Sequence, residues 1–265
     1  MAPLGRRVAE ISAADQYGPY TVLSALDTNG PTPHAGQFYM LQTEIGWGGG
    51  DGGRPYLPRA LSYARVSPSD DGLILEFLLE AVGPGTDRLA DTRAGERLLI
   101  AGPFGNGFEV AGEHSLLVAG GVGLAPIVAL SDQLESCRAF VGMRSASHAA
   151  VLDRYFDDGF AALTTEDGTA GARGYITELL TPALAEPGAR VFACGPPAML
   201  EAVRALCEEH EIPSQLAMES GMACGFGACF GCVVPTKHGY VRLCVDGPVL
   251  DGRDVETALV PGAGH

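Results

Sequence analysis

Basic residues are scarce in this chain. Seventeen Lys and Arg stand against 32 Asp and Glu, a formal net charge of −15 over 265 residues. Binding to phosphate backbones relies on clustered cations, so nucleic acid is disfavoured as a partner. The same acidity suits docking onto a basic protein surface, and it also favours solubility. Long apolar runs are missing as well. The longest, Leu116 to Leu130, is interrupted by Gly120, Gly121, Gly123 and Pro126, so nothing reads as a membrane span. The N-terminus, MAPLGRRVAEIS, has two arginines but no apolar stretch behind them, which argues against a secretory signal and for a cytoplasmic protein. Internal repeats are absent, and so is any evident acid–base constellation. His34, His114, His148, His210, His238 and His265 fall in turns or at element ends, where a surface histidine is ordinary.

What is present points to a layered protein. Hydrophobic residues make up 46% of the chain, enough for sizeable cores, and 37 glycines with 18 prolines imply many tight turns. The length allows two domains and a small appendage. Up to about residue 110, short extended runs (RVAEIS, YTVLSAL, GQFYMLQ, ALSYARV, LILEFLLEAV, ERLLIAG) alternate with turn residues, predicting a small antiparallel barrel. A glycine-rich loop over 46–53 carries no assigned role. From about 113 the strands HSLLVAG, RAFVGM, FAALTT and RVFACG alternate with the helical stretches APIVALSDQLES, HAAVLDRYF, ITELLTPAL and AMLEAVRALCEEH. That rhythm predicts a parallel sheet with helices on both faces. The fold class is therefore α+β multidomain. The stretch after about 219 is rich in Gly and Cys and too poor in apolar residues for a core of its own, so a metal cluster is expected to hold it together.

Seven cysteines are present, and three of them fall within nine residues: Cys224, Cys229 and Cys232, followed by Cys244. C-x4-C-x2-C with a later cysteine is the plant-type spacing for a [2Fe–2S] cluster, whose two irons take four thiolates. Gly225, Gly227 and Gly231 permit positive φ and let backbone N–H groups approach the sulfurs. Counting places Cys232 and Cys244 six residues either side of His238, on the two strands of a hairpin turning around Lys237, His238 and Gly239. Facing residues on such strands lie about 4.5–5.5 Å apart. A four-cysteine zinc site would prefer paired C-x2-C knuckles, and only one such pair exists. Cys137, Cys194 and Cys207 are expected to be ordinary thiols rather than ligands.

Glycine-rich turns supply the second set of signals. Arg59-Ala60-Leu61-Ser62 opens a strand, with an arginine able to pair with a pyrophosphate and a serine able to reach a ring nitrogen. Val82-Gly83-Pro84-Gly85-Thr86 offers N–H groups and a hydroxyl to the same pyrophosphate. Gly102 to Phe108, GPFGNGF, closes the barrel region. Gly120-Gly121-Val122-Gly123-Leu124-Ala125-Pro126 joins the first buried strand to a helix, where phosphates bind, although it is not the Rossmann fingerprint. Cys194-Gly195-Pro196 ends another strand at the same edge, beyond which ligands of such sheets bind. Glu166 and Asp167 can bond a ribose hydroxyl and repel a 2′-phosphate, a preference for NAD over NADP.

The order RALS, GPGT, GPFGNGF, GGVGLAP, CGPPAM and a cysteine cluster resembles ferredoxin–NAD(P) reductase-type flavoproteins. MACGFGACFGC followed by CVDGPVLDG is similar, more narrowly, to the electron-transfer subunits of NAD-dependent (class 1B) dihydroorotate dehydrogenases, and the likeness runs over roughly residues 6 to 255. The resemblance implies three parts: an FAD-binding β-barrel over 1–111, an NAD-binding α/β part over 112–218, and a [2Fe–2S] part over 219–265. It implies FAD contacts at Arg59, Ala60, Leu61, Ser62, Leu78, Leu79, Glu80, Gly85 and Thr86. Gly121, Gly123, Glu166, Cys194, Gly195 and Pro196 are the expected NAD contacts, and Cys224, Cys229, Cys232 and Cys244 the cluster ligands. Ala60 stands where that family commonly has proline. The implied partner is a separate FMN-containing catalytic subunit that oxidises dihydroorotate in pyrimidine biosynthesis, in a heterotetramer with two copies of each chain. Electrons would run from FMN through the cluster and FAD to NAD+.

Other readings share these modules. Oxygenase reductase components place the fourth cysteine much farther away. The small subunit of an NADH-dependent ferredoxin:NADP oxidoreductase, or of a hydrogenase diaphorase, in some cases has aspartate at the first position, where this chain has Cys224. A non-enzymatic redox sensor would have no use for the nucleotide loops.

Overall fold

The computed structural model describes residues 5–48, 54–110 and 114–260. Residues 49–53 of the glycine-rich loop, the junction at 111–113 and His265 lie outside them. The six predicted strands are all present: β1 (Arg7–Tyr17), β2 (Tyr20–Asp27), β3 (Phe38–Thr43), β4 (Arg59–Ser69), β5 (Gly72–Glu80) and β6 (Arg97–Phe104). They close into an antiparallel barrel in the order β1-β2-β5-β4-β3-β6. Period-two burial is plain in β6, where Leu98, Ile100, Gly102 and Phe104 are buried and Arg97 is exposed. A short helix, α1 (Pro84–Ala90), leads from β5 toward β6.

The second layer is a seven-stranded sheet. Its strands are β7 (His114–Gly120), β8 (Cys137–Met143), β9 (Ala161–Thr165), β10 (Ala172–Arg173), β11 (Ala189–Cys194), β12 (Ser214–Ala217) and β15 (Val249–Asp251), in the order β10-β9-β8-β7-β11-β12-β15. All pairs are parallel except β12 with β15. The chain winds outward from β7 through β8 and β9, then returns to lay β11 on the other side of β7. That reversal is the topological switch point, where such sheets open a crevice beyond the strand ends.

The helices are shorter than their apolar periodicity predicts. α2 (Leu124–Ser131) stops where Asp132 turns to meet Arg65 of β4 with bonds of 2.8 and 3.0 Å. The stretch 148–156 is not one helix but two single turns, α3 (Ala146–Ala149) and α4 (Leu152–Tyr155), with the buried Val151 between them. Nine residues are too few for propensity to sustain a helix, and the bend lets Ala149, Val151 and Tyr155 all reach the core. α5 (Ile176–Leu180) tightens into a 3₁₀ turn over Thr181–Ala185, where Pro182 contributes no N–H. α6 (Pro197–Glu209) is the one long helix among the described residues.

Barrel and sheet share a core. Residues Leu124 through Leu130 of α2 are all buried, and α2 lies between the sheet and β4. One apolar cluster runs from Ile11, Leu41 and Phe77 of the barrel to Ile127, Val128 and Phe192. The C-terminal stretch corrects an expectation. It has no core of its own, but burial still anchors it: Val234, Leu243, Val255 and Ala258 are each about fully buried against Val191, Leu200 and Val203 of the sheet layer. Its strand β15 extends the sheet, while β13 (Val233–Thr236) and β14 (Gly239–Arg242) form a separate hairpin.

Candidate functional site

The hairpin register settles how the last two cysteines meet. Val233 faces Arg242 and Thr236 faces Gly239, so the turn consists of Lys237 and His238. The centre lies half a residue before the position that counting gave. Leu243, not Cys244, donates to Cys232 O at 3.1 Å. Cys244 reaches Cys232 because the chain leaves the strand there in a turn, with Val245 N and Asp246 N both returning to Arg242 O. The two sulfurs stand 3.2 Å apart, both buried.

The other pair is nearer the surface. Cys224 is half-buried and Cys229 exposed. Backbone N–H groups surround both: Cys229 N donates to Cys224 Sγ and Gly231 N to Cys229 Sγ, each at 3.4 Å, while Cys244 N donates to Cys232 Sγ at 3.4 Å. Burial raises the Cys224 thiol, but the N–H groups of Phe226, Cys229 and Ala228 outweigh it and hold the group at about 6. Cys244 is pushed to about 12 by burial and by its bond to the Cys232 thiol. Among the described residues, no three His, Cys, Asp or Glu side chains converge on one point as around a single ion. Two pairs ringed by N–H donors suit two irons with two thiolates each. Cys194 and Cys207 are buried and Cys137 is half-buried.

Gly225 and Gly227 have φ of +79° and +87°, as their type allows. Gly231 does not; the left-handed residue beside it is Phe230, at φ 58°. A Cβ on Gly225 would lie 2.5 Å from Met40 Cγ and 3.3 Å from a Phe104 ring carbon, so the cysteine loop rests directly on the barrel. Met40 in turn faces Ala60 across the β3–β4 ladder. A cavity of about 210 Å³ opens at this junction, with Met40, Gln42, Pro58, Cys224 and Phe226 in its wall.

Arg59 and Gly85 are brought together. A Cβ on Gly85 would stand 2.3 Å from Arg59 Nε, so a glycine is needed for the arginine to lie across the turn. Thr86 is already engaged: its Oγ1 accepts from Val82 N (2.9 Å) and Gly83 N (3.1 Å) and donates to Gly83 O, which caps α1. Leu78 and Leu79 are each 1% exposed, leaving only their backbone for any outside contact. Glu80, at the strand end, lies 3.7 Å from Arg144 and 3.9 Å from His148 of the sheet layer. Two residues escaped the sequence reading. Trp47 stacks under the Arg59 guanidinium, and Arg88 bonds Ile45 O at 3.2 Å while its Nε is buried without a partner. A basic residue one helical turn past a GPGT turn was the available signal.

At the switch point, Gly121 and Gly123 follow β7, and Cys194, Gly195 and Pro196 end the neighbouring β11. The loops touch backbone to backbone. A Cβ on Gly123 would be 2.5 Å from Cys194 O, and one on Gly195 would be 3.0 Å from Gly120 N. Burial pushes the Cys194 thiol well above its ordinary range, so it stays protonated. Glu166 is exposed at the end of β9, whereas the Asp167 carboxylate is occupied by Thr169 N (3.0 Å) and Thr169 Oγ1 (2.7 Å). Of the two acids, only Asp167 is engaged by Thr169.

Comparison with known proteins agrees with this geometry. Residues 219–256 match the family model described as the iron-sulfur cluster binding domain of dihydroorotate dehydrogenase B. The chain is 36% identical over 227 residues to the dihydroorotate dehydrogenase B (NAD(+)) electron transfer subunit of Clostridium acetobutylicum, covering 83% of this chain and 85% of that one. It is 31% identical to the protein of the same name from Caldanaerobacter subterraneus subsp. tengcongensis, covering 85% and 88%. Among solved structures, a chain of an NADH-dependent reduced ferredoxin-NADP oxidoreductase superposes with a TM-score of 0.80 at 23% identity, over 96% of this chain and 91% of that one. The ferredoxin reductase in carbazole 1,9a-dioxygenase follows at 0.67 and 23%, over 78% and 66%. Those two likenesses speak for the fold. The identities above 30% over most of both chains speak for the family, and this chain belongs to the electron transfer subunits of NAD(+)-dependent dihydroorotate dehydrogenase B.

Proposed function

We propose that this chain takes electrons from an FMN-bearing dihydroorotate dehydrogenase subunit and delivers them to NAD+, through one [2Fe–2S] cluster and FAD. The observation that carries this reading is the seat of the cysteine loop. Gly225 rests on Met40, and Met40 faces Ala60 of the RALS motif. Cluster loop and flavin motif are thus one residue apart. When bound, the cluster passes single electrons and the flavin exchanges them for a hydride with the nicotinamide.

The residues divide the labour. Cys224 with Cys229, and Cys232 with Cys244, each hold one iron. Arg59 and the N–H groups at Gly85 and Thr86 grip the pyrophosphate of FAD, with Arg88 and Trp47 beside them. Ala60, Leu61 and Ser62 present backbone and hydroxyl to the ring, and the backbone from Leu78 to Glu80 borders it. Gly121, Gly123, Cys194, Gly195 and Pro196 floor the NAD crevice, and Glu166 bonds the ribose. On this reading FAD belongs to 1–111, NAD to 112–218 and the cluster to 219–265, within a cytoplasmic heterotetramer of two copies of each subunit. The net charge of −15 suits a basic partner face.

Purification with the candidate catalytic subunit tests the reading. The expected product holds two irons and one FAD per chain and reduces NAD+ when given dihydroorotate. Zinc in place of iron, or a partner that oxidises something other than dihydroorotate, overturns it.

A further inference from the structure

A cation braces the cysteine loop. Arg242, on β14, donates from Nη1 to Gly227 O at 3.3 Å, and its guanidinium lies 5.5 Å from the centroid of the Phe230 ring. Gly227 and Phe230 flank the exposed Cys229, and both hold left-handed backbone, at φ +87° and 58°. For Phe230 that conformation is strained and persists only where neighbours over-determine it. Arg242 therefore holds a residue of the stretch between Cys224 and Cys229. Behind it, Asp246 stands 3.7 Å from Arg242 Nε and accepts Arg242 N at 2.9 Å. The side chains of Arg242 and Asp246 are 35% and 42% exposed, so neither charge is fully screened by water.

We propose that Arg242 is a positioning residue that sets the reduction potential of the cluster, with Asp246 as its counterweight. This rests on the cluster reading above. One-electron reduction adds a negative charge within the loop, and a fixed cation there stabilises the reduced form. Removing the cation must lower the potential, and removing the opposing carboxylate must raise it. A brace without an electrostatic role would not give opposite signs.

The test uses the full-length holoprotein and its variants R242Q, R242K and D246N. Iron and sulfide content and the cluster midpoint are measured, the latter by redox titration followed through the EPR signal of the reduced cluster. In R242Q the midpoint is expected to fall by about a tenfold change in the oxidised-to-reduced ratio, 59 mV for one electron. R242K is expected to recover part of that shift, because charge returns without the planar guanidinium that reaches Gly227 O and lies over Phe230. D246N is expected to rise. If R242Q fails to assemble a cluster, R242K and D246N still decide the matter. Shifts of one sign in both positions, or a D246N midpoint equal to wild type, overturn the proposal. A wild-type chain without iron overturns the cluster reading itself, a distinct result.

Discussion

Gly225 and Met40 are packed so closely that no side chain fits between them: a Cβ on the glycine would lie 2.5 Å from Met40 Cγ and 3.0 Å from its sulfur. The contact ties the cysteine loop to the barrel, and Gly225 also sits at φ +79°. Gly225→Ala therefore carries two costs, a clash and a left-handed alanine of about 1–2 kcal/mol. The variant is expected to hold less iron per chain. Adding Met40→Ala should recover only part of the loss, since it removes the clash and leaves the backbone cost. Iron analysis of the single and double variants checks this.

Removal of iron is expected to loosen one stretch rather than the whole C-terminal part. The loop 219–232 has sulfur-directed N–H groups that need thiolates to face, whereas the hairpin and β15 are held by Val234, Leu243 and Val255 in the shared core. Hydrogen exchange on chelated protein should show rapid exchange over 219–232 and continued protection over 233–242 and 249–251. Loss of protection across all of it would show that burial does not suffice.

Choice of nucleotide should move with Glu166 more than with Asp167. Glu166 is exposed beyond β9, while Asp167 is spent on Thr169. Glu166→Ser is expected to raise kcat/KM for NADPH about tenfold relative to NADH, equivalent to relief of one like-charge contact near 1.4 kcal/mol. Asp167→Asn should give the smaller change, because the amide oxygen can still accept from Thr169. Steady-state kinetics with an artificial acceptor measure both.

The C-terminal tail should respond to acid through Glu201. Its carboxyl is held below the ordinary range by Arg204, by the N–H of Ala258 and by Thr257, with burial opposing. A depressed folded pKa contributes stability that is present above the unfolded value, about 4.3, and is lost as pH falls through the folded value. The Ala258 amide, 2.6 Å from the carboxylate, should then exchange faster. Glu201→Gln is expected to be less stable than wild type near pH 7, with the gap closing at low pH. A gap independent of pH would assign the effect to packing.

What the sequence by itself determined was local. Alternation marked all six barrel strands, apolar runs marked four strands of the sheet, and C-x4-C-x2-C with Cys244 singled out four thiols, because each signal lies within about twenty neighbouring residues. The glycine turns were legible as turns. Only the tertiary structure decided what they touch. Spacing could not show that Gly85 lies under Arg59, that Thr86 spends its hydroxyl on capping α1, or that Gly123 is glycine because Cys194 O lies against it. The Gly85 and Gly123 contacts join residues far apart in the chain, and each depends on how distant segments are brought side by side. The same holds for Arg242: nothing in YVRLC reveals that its guanidinium meets Gly227 and Phe230 across the loop. Thiol spacing is written along the chain, whereas the charge around those thiols depends on packing in three dimensions.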